Sequence, residues 1–265
     1  MSTAFLKKTF EKLLGHSPEP MGAAGAGQVK PRPAKENLPL CFDMEPAFEP
    51  VYLKCNPYTM TSQERQYNLF KACQHIVQNN IPGDFVECGV WAGGSTMLAA
   101  ETFQMFGETS RHLYLYDTFS GMTEPTVEDF DRRFQKPVRQ KWEKNQAGEV
   151  NNWCYIPLEE VQANINKTGY PFEQVHFIKG DILKTVPQTL PQQIALLRLD
   201  TDWYASTKHE LEHMYPLLVS GGLLIIDDYG TFEGARKAVD EYFAQFESVP
   251  FMSRVDNTCR ILVKP

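Results

Sequence analysis

The feature that most constrains this chain is the alternation, from residue 84 onward, of short apolar runs with helical stretches. Strands are predicted at Asp84–Cys88, 112–116, 175–178, Ile194–Leu199 and 223–226, with a last one at 259–263. These runs are rich in aliphatic and aromatic residues and show little polar alternation, as expected of strands buried on both faces. Helical spacing fills 95–106, 157–168, 206–218 and 234–246. Strands alternating with helices in this way predict an α/β fold with a mostly parallel sheet covered on both sides. In such sheets ligands gather beyond the carboxyl ends of the strands, so the residues that end each strand are the candidates for chemistry.

Ahead of this unit, Phe5, Leu6, Phe10, Leu13 and Leu14 sit at helical spacing, but Lys7, Lys8, Glu11 and Lys12 break any signal-like apolar region. Residues 15–40 are rich in Pro, Gly and Ala and read as a linker. The expected organisation is an N-terminal helical arm and linker over 1–40 and one domain over 41–265. The arm could pack on a second copy, lie on a membrane surface or fray; five apolar residues make a weak membrane anchor, so association ranks first and predicts a homodimer or higher homo-oligomer. Ser62 is the expected N-cap of a helix over 62–78. The polar stretch 120–157 interrupts the rhythm yet carries Trp142 and Trp153, and is predicted to be an ordered lid.

Composition removes several function classes. The 26 Lys+Arg against 33 Asp+Glu give a net charge of −7, which disfavours nucleic acid as a partner. No apolar run approaches the roughly 20 residues of a membrane span. The 6 cysteines form no CxxC pair and suit free thiols in a reducing cytoplasm.

Three strand ends outline a nucleoside-like site. After the first strand, Glu87-Cys88-Gly89-Val90-Trp91-Ala92-Gly93-Gly94-Ser95 combines Gly89 and Gly93, which permit close backbone approach, with a helix N-terminus at Ser95. The spacing is not that of dinucleotide dehydrogenases. Glu87 would repel a pyrophosphate but suits an amino group. Asp117, about twenty residues beyond the glycines, is placed to accept ribose hydroxyls. Asp181, after Gly180, could accept from an adenine amino group or simply cap a helix.

The most informative pattern is Asp200-Thr201-Asp202 ending one strand and Asp227-Asp228 ending the next. Two unit charges about 4 Å apart at an effective dielectric of about 20 repel by roughly 4 kcal/mol. A divalent cation with oxygen ligands, Mg²⁺ above all, relieves that repulsion. A competing motif, His209-Glu210-Leu211-Glu212-His213, matches the zinc-protease H-E-x-x-H. At about 100° per residue both histidines fall about 160° from the apolar Leu211, which predicts a solvent-facing pair and no metal site.

With these motifs placed, the chain resembles the macrocin O-methyltransferase (TylF-type) family of class I S-adenosylmethionine-dependent methyltransferases. The resemblance runs from about Tyr58 to Phe246. It rests on Gly83-Asp84-Phe85-Val86-Glu87-Cys88-Gly89-Val90-Trp91, Tyr116-Asp117-Thr118-Phe119-Ser120-Gly121-Met122, Leu197-Arg198-Leu199-Asp200-Thr201-Asp202, and Gly221-Gly222 through Ile226-Asp227-Asp228-Tyr229-Gly230. It implies a Rossmann-like seven-stranded sheet and methyl transfer from S-adenosylmethionine to a hydroxyl, often on a natural-product sugar. It further implies Mg²⁺ on Asp200, Asp227 and Asp228, with Asp202 as general base. Met60, in Tyr58-Thr59-Met60-Thr61-Ser62, would cover the methionine end of the cofactor, and Trp153 or Tyr204 could stack on a sugar or serve packing. The alternative of a different class is a non-catalytic module that binds the cofactor and regulates.

Overall fold

The computed structural model describes residues 35–265. The expected N-terminal helix, and most of the linker, lie outside the described residues. Seven strands form one sheet: β1 (Asp84–Cys88), β2 (Leu113–Asp117), β7 (Val175–Lys179), β8 (Ile194–Leu199), β9 (Leu218–Ile226), β10 (Ser253–Arg254) and β11 (Arg260–Val263), in the order β10-β11-β9-β8-β1-β2-β7. The five strands from β9 to β7 run parallel, and β11 joins β9 antiparallel.

Successive residues of the central strands enter opposite cores. Phe85, Leu196 and Ile225 pack with helices α1 (Phe48–Cys55), α2 (Gln63–Gln78), α3 (Gly94–Met105) and α5 (Leu158–Asn166). Val86, Leu197 and Leu224 pack on the other face with α6 (Ile182–Thr185), α7 (Tyr204–Met214) and α8 (Glu233–Phe243). This is the doubly covered parallel sheet that the apolar runs predict. Ser62 caps α2 as expected, its hydroxyl accepting from the Arg65 N–H at 3.2 Å. The helix α1 carries Pro50 inside a short amphipathic run and was not predicted, and β9 begins five residues earlier than the expected 223, because Leu218 already pairs with Ile194.

The insertion is ordered by short elements: a ribbon of β3 (Phe130–Asp131) with β4 (Lys136–Pro137), a helix α4 (Arg139–Lys144), and a ribbon of β5 (Gln146–Ala147) with β6 (Val150–Asn151). It is docked on the main body. The Trp203 indole N–H donates to Thr123 O at 2.9 Å, and the Tyr204 N–H donates to Asp129 Oδ1 at 2.8 Å. No helix among the described residues is long and apolar enough to cross a membrane.

Candidate active site

The site begins with strand register. Glu87 on β1 lies opposite Arg198 on β8, and Arg198 lies opposite Ile225 on β9. Side chains two residues apart on a strand share a face, so Asp200 and Asp227 project on the same side as Glu87 and Arg198. Arg198 is buried to 2% exposure inside an otherwise apolar strand, and its guanidinium gathers the surrounding carboxylates. One Nη1 reaches Glu87 Oε1 at 2.7 Å and Asp200 Oδ2 at 2.8 Å, while Nη2 reaches Asp227 Oδ1 at 2.7 Å. Burial alone would lower the Arg198 pKa, but Asp200, Asp227 and Glu87 hold it well above its usual value. Arg65 on α2 pairs with the second oxygen of Asp227 and, through Nε, with Asp256 Oδ2 at 3.0 Å.

Beyond this buried lattice stand Asp200, Asp202 and Asp228, whose carboxylate oxygens lie within 4.8 Å of one another. Desolvation raises the pKa of all three; mutual repulsion adds to it for Asp200 and Asp228. For Asp202 the result is about 7, with Asp228 opposing the shift through a hydrogen bond and Asp200 and Asp227 adding to it. Three carboxylates this close, with pKa values displaced upward, have the donor chemistry of a hard divalent cation site. The membership of this group differs from the set that the family resemblance implies. Asp202 takes part, whereas both oxygens of Asp227 face Arg198 and Arg65.

Asp202 is held in an unusual conformation, with φ +70. The Trp203 N–H donates to Thr201 O at 2.8 Å across it, closing a γ-turn that aims the Asp202 side chain at the cavity.

The other predicted residues divide among neighbouring spaces. A cavity of about 280 Å³ is shared by the carboxylate cluster with Met60, Glu87 and Ser95. Glu87 is fully buried; desolvation raises its pKa, and Arg198 and a hydrogen bond from Thr96 oppose the rise. Gly89 and Asp117 line an adjoining cavity of about 70 Å³ together with Gly180. A third space of about 90 Å³ touches Met60, Gly89, Asp117 and Asp202 and so bridges the two regions. Gly89 has φ +85, and a Cβ there would stand 2.1 Å from Asp200 O, so only glycine lets β1 turn this close to β8.

Asp117 accepts backbone N–H groups from Val90 at 2.7 Å, Trp91 at 3.1 Å and Phe119 at 2.7 Å, which fix the glycine loop against β2. Gly93 adopts a left-handed N-cap conformation for α3 and packs toward Ile165 rather than lining these cavities. Asp181 is likewise absent from their walls; its Oδ1 accepts from the Leu183 N–H at 3.1 Å as the cap of α6.

The H-E-x-x-H segment corrects one expectation. His209 and His213 are half-buried, not solvent-facing, with ring centroids 4.2 Å apart, because α6 and the chain after it pack against that side of α7. His209 Nε2 lies 2.9 Å from Val186 O. Among the described residues the two histidines belong to no metal-ligating group. Glu210 between them is fully buried, accepting from the Thr201 hydroxyl at 2.8 Å.

Residues that the strand-end pattern left out complete the walls: Arg65, Arg198, and, from the insertion, Arg133, Lys141 and Cys154. Arg198 had a signal, since a lone charge in the run Ile194–Leu199 demands buried partners. Lys141 had none, because its place depends on how the insertion docks.

Fold and site together define a class I methyltransferase, with connected spaces along the glycine loop and an acidic cluster at the carboxyl edge of a parallel sheet. Comparison with known proteins narrows this. The macrocin O-methyltransferase (TylF) family model matches residues 54–264, and the chain belongs to that family. It is an S-adenosylmethionine-dependent O-methyltransferase. It is 33% identical to the 8-demethyl-8-(2,3-dimethoxy-alpha-L-rhamnosyl)-tetracenomycin-C 4'-O-methyltransferase of Streptomyces olivaceus, over 82% of this chain and 81% of that one. It is 32% identical to the mycinamicin III 3''-O-methyltransferase of Micromonospora griseorubida, over 70% of each. The solved structure of the O-methyltransferase NovP superposes with a TM-score of 0.69 at 29% identity, covering 79% of this chain and 83% of that one.

Proposed function

We propose that this enzyme methylates a hydroxyl on the sugar of a small natural-product-like acceptor, with a divalent cation, Mg²⁺, held by Asp200 and Asp228 and with Asp202 as general base. The observation that carries the proposal is that the carboxylate cluster and the Glu87–Met60–Ser95 wall open into one cavity. The sugar assignment draws on the tetracenomycin relative, whose name carries a rhamnosyl group and a 4'-O-methylation. Asp200 and Asp228 are common to the set that the resemblance implies and the set that the side chains form, whereas Asp227 serves to anchor Arg198 and Arg65.

A cation at the cluster supplies Lewis-acid activation of an acceptor hydroxyl and offsets the repulsion among the carboxylates. The chain's own residues do the rest. Glu87 would accept from the amino group of the cofactor's methionine moiety, the Gly89 turn and the α3 N-terminus would let the cofactor approach the backbone closely, and Asp117 holds the loop beside which the ribose would lie. Met60, which lines the same cavity, would offer the sulfonium a polarizable contact. Asp202 takes the hydroxyl proton onto a carboxylate oxygen. The acceptor oxygen forms its bond to the methyl carbon as the sulfur–carbon bond breaks, and S-adenosylhomocysteine leaves as a neutral thioether. Desolvation raises the Asp202 pKa to about 7 without a cation; a cation on Asp200 and Asp228 would lower it, leaving the carboxylate ionised and able to take the proton at physiological pH.

The six free thiols fit a reducing cytoplasm, and a homodimer or larger homo-oligomer remains part of the proposal. The decisive experiment is methyl transfer from labelled S-adenosylmethionine to a panel of deoxysugar glycosides, with Mg²⁺ and with chelator. Undiminished transfer by Asp202→Asn would remove the base from the scheme.

A further inference from the structure

Four cations line the cavity that holds the carboxylate cluster: Arg65, Arg133, Lys141 and Arg198. Three of them are spoken for. Arg198 holds Glu87, Asp200 and Asp227, Arg65 holds Asp227 and Asp256, and Arg133 forms a forked pair with Asp131 at 2.8 and 3.1 Å. Lys141, on α4 of the insertion, has no carboxylate within ion-pair distance among the described residues. Its Nζ lies 3.6 Å from the centroid of the Trp153 ring. A cation–π contact contributes about 0.5–2 kcal/mol depending on solvation, and it leaves the ammonium's hydrogen-bond donors unused. Lys141 is an exposed residue at the rim of the cavity; partial desolvation lowers its pKa, with Arg133 adding to the fall and Cys154, Asp131 and Asp202 opposing it.

The platform beneath Lys141 is built, not incidental. The Trp153 N–H donates to Asn151 Oδ1 at 2.9 Å, and the Trp153 ring meets Trp203 edge-on at 5.5 Å. Trp203 is buried, directly follows Asp202, and is tied to the insertion through Thr123. One aromatic stack therefore fixes the ammonium relative to the carboxylate proposed to take the proton. The cavity thus has two zones of opposite sign. An acidic zone with a bound cation suits neutral hydroxyls; it repels a negative group unless that group replaces a ligand on the cation. The unpaired ammonium attracts a negative group.

The geometry points to Lys141 as the binding residue for an anionic substituent, phosphate or carboxylate, on the acceptor whose hydroxyl is presented to Asp202. This rests on the acceptor reading above and sharpens it: the substrate is a charged sugar derivative, and the distance between its anion and its reacting hydroxyl decides which oxygen is methylated. Phosphate and carboxylate share the charge-assisted hydrogen bond that an ammonium offers. They differ in source, a nucleotide-linked or phosphorylated sugar in one case and a uronate in the other.

The test is titration calorimetry on the full chain with S-adenosylhomocysteine and Mg²⁺ present. Four probes are compared: methyl glucoside, methyl glucuronoside, glucose 1-phosphate and uridine diphosphate glucose. At least one anionic probe is expected to bind about tenfold or more tightly than methyl glucoside, roughly the 1.4 kcal/mol of one good charged contact. Lys141→Met should erase that margin and Lys141→Arg should keep it. The anionic probe that shows the margin identifies the source. A wild-type enzyme without any anion margin overturns the assignment, as does a margin that survives in Lys141→Met, which would place the anion on the metal instead. S-adenosylhomocysteine affinity is read in the same titrations. Normal cofactor binding without an anion margin sinks only the Lys141 assignment. A Lys141-dependent margin without methyl transfer to any sugar sinks only the proposed chemistry.

Discussion

Replacing Glu210 by Gln should stabilise the enzyme, and by more as the pH rises. Glu210 is fully buried on α7, one oxygen accepting from the Thr201 hydroxyl and the other without a hydrogen-bond partner among the described residues. Desolvation pushes its pKa from 4.5 to about 8, against the lowering effect of Thr201, with Asp200 adding to the rise. The folded protein therefore retains a proton that the unfolded chain releases, and stability from this group falls as pH climbs from about 4.5 to about 8. Gln keeps the carbonyl that accepts from Thr201 and has no proton to lose. At about 1.4 kcal/mol for each pKa unit, the advantage of Glu210→Gln grows from about 1 kcal/mol at pH 5 to about 4 kcal/mol at pH 8. Urea unfolding of both proteins at pH 5, 6, 7 and 8 measures the difference, in which all other titrating groups cancel to first order. A difference that stays flat with pH, or that favours Glu210, would show that the carboxylate is ionised in the folded state, and the account of α7 would fail.

The remaining predictions concern the site. Asp202→Asn should lower the rate by about 10²–10⁴-fold with cofactor affinity retained, read by labelled methyl transfer and by S-adenosylhomocysteine titration. Chelation should abolish activity and Mg²⁺ restore it. Because the pKa values of Asp200, Asp202 and Asp228 are raised, protons compete with the metal, so Mg²⁺ affinity should increase from pH 6 to pH 8, with proton release seen in buffers of different ionisation enthalpy. Asp228→Asn should lose metal binding that Asp227→Asn retains; the reverse order would return Asp227 to the ligand set. Arg198→Met should destabilise the fold by about 3–5 kcal/mol, since it strands three carboxylates around a buried gap, and thermal unfolding reports it.

The parallel sheet was legible because its strands are buried on both faces and therefore nearly continuous in apolar residues, a signal independent of distant contacts. The strand-end carboxylates were legible for a related reason: topology alone brings the carboxyl ends of neighbouring parallel strands together. What could not be read was decided by orientation. Asp200 and Asp227 stand at one level of the sheet, and nothing local says which oxygen meets a guanidinium and which meets solvent. Asp181 fits both a helix cap and an adenine acceptor by residue type, and only the path of the chain after Gly180 puts its carboxylate on the Leu183 N–H. The histidines of α7 were misjudged because a helical wheel knows the apolar stripe but not the second surface that α6 lays against the opposite flank. The insertion was recognisable as ordered from Trp142 and Trp153. Its contribution of Lys141 rested on tertiary docking, carried by hydrogen bonds such as Trp142 Nε1–H to Met122 O.

Arg198 explains how so many acids can share one end of a sheet. Five carboxylates line the cavity: Glu87, Asp200, Asp202, Asp227 and Asp228. A buried guanidinium can satisfy several acceptors in its plane, and Arg198 uses two nitrogens to hold Glu87, Asp227 and one oxygen of Asp200. Those carboxylates are thereby fixed in position, and their charge is largely answered from within the protein. Among the described residues Asp202 and Asp228 form no ion pair, and Asp200 is shared between the two groups. The unanswered charge is therefore focused on the three residues whose oxygens lie closest together, which is where a cation is needed and where the proposed base stands. On this view Arg198 is a positioning residue that divides one acidic edge into a cofactor-facing half and a reactive half. The cost is a charge buried in a core strand, which is tolerable only while every one of its carboxylate partners stays in place.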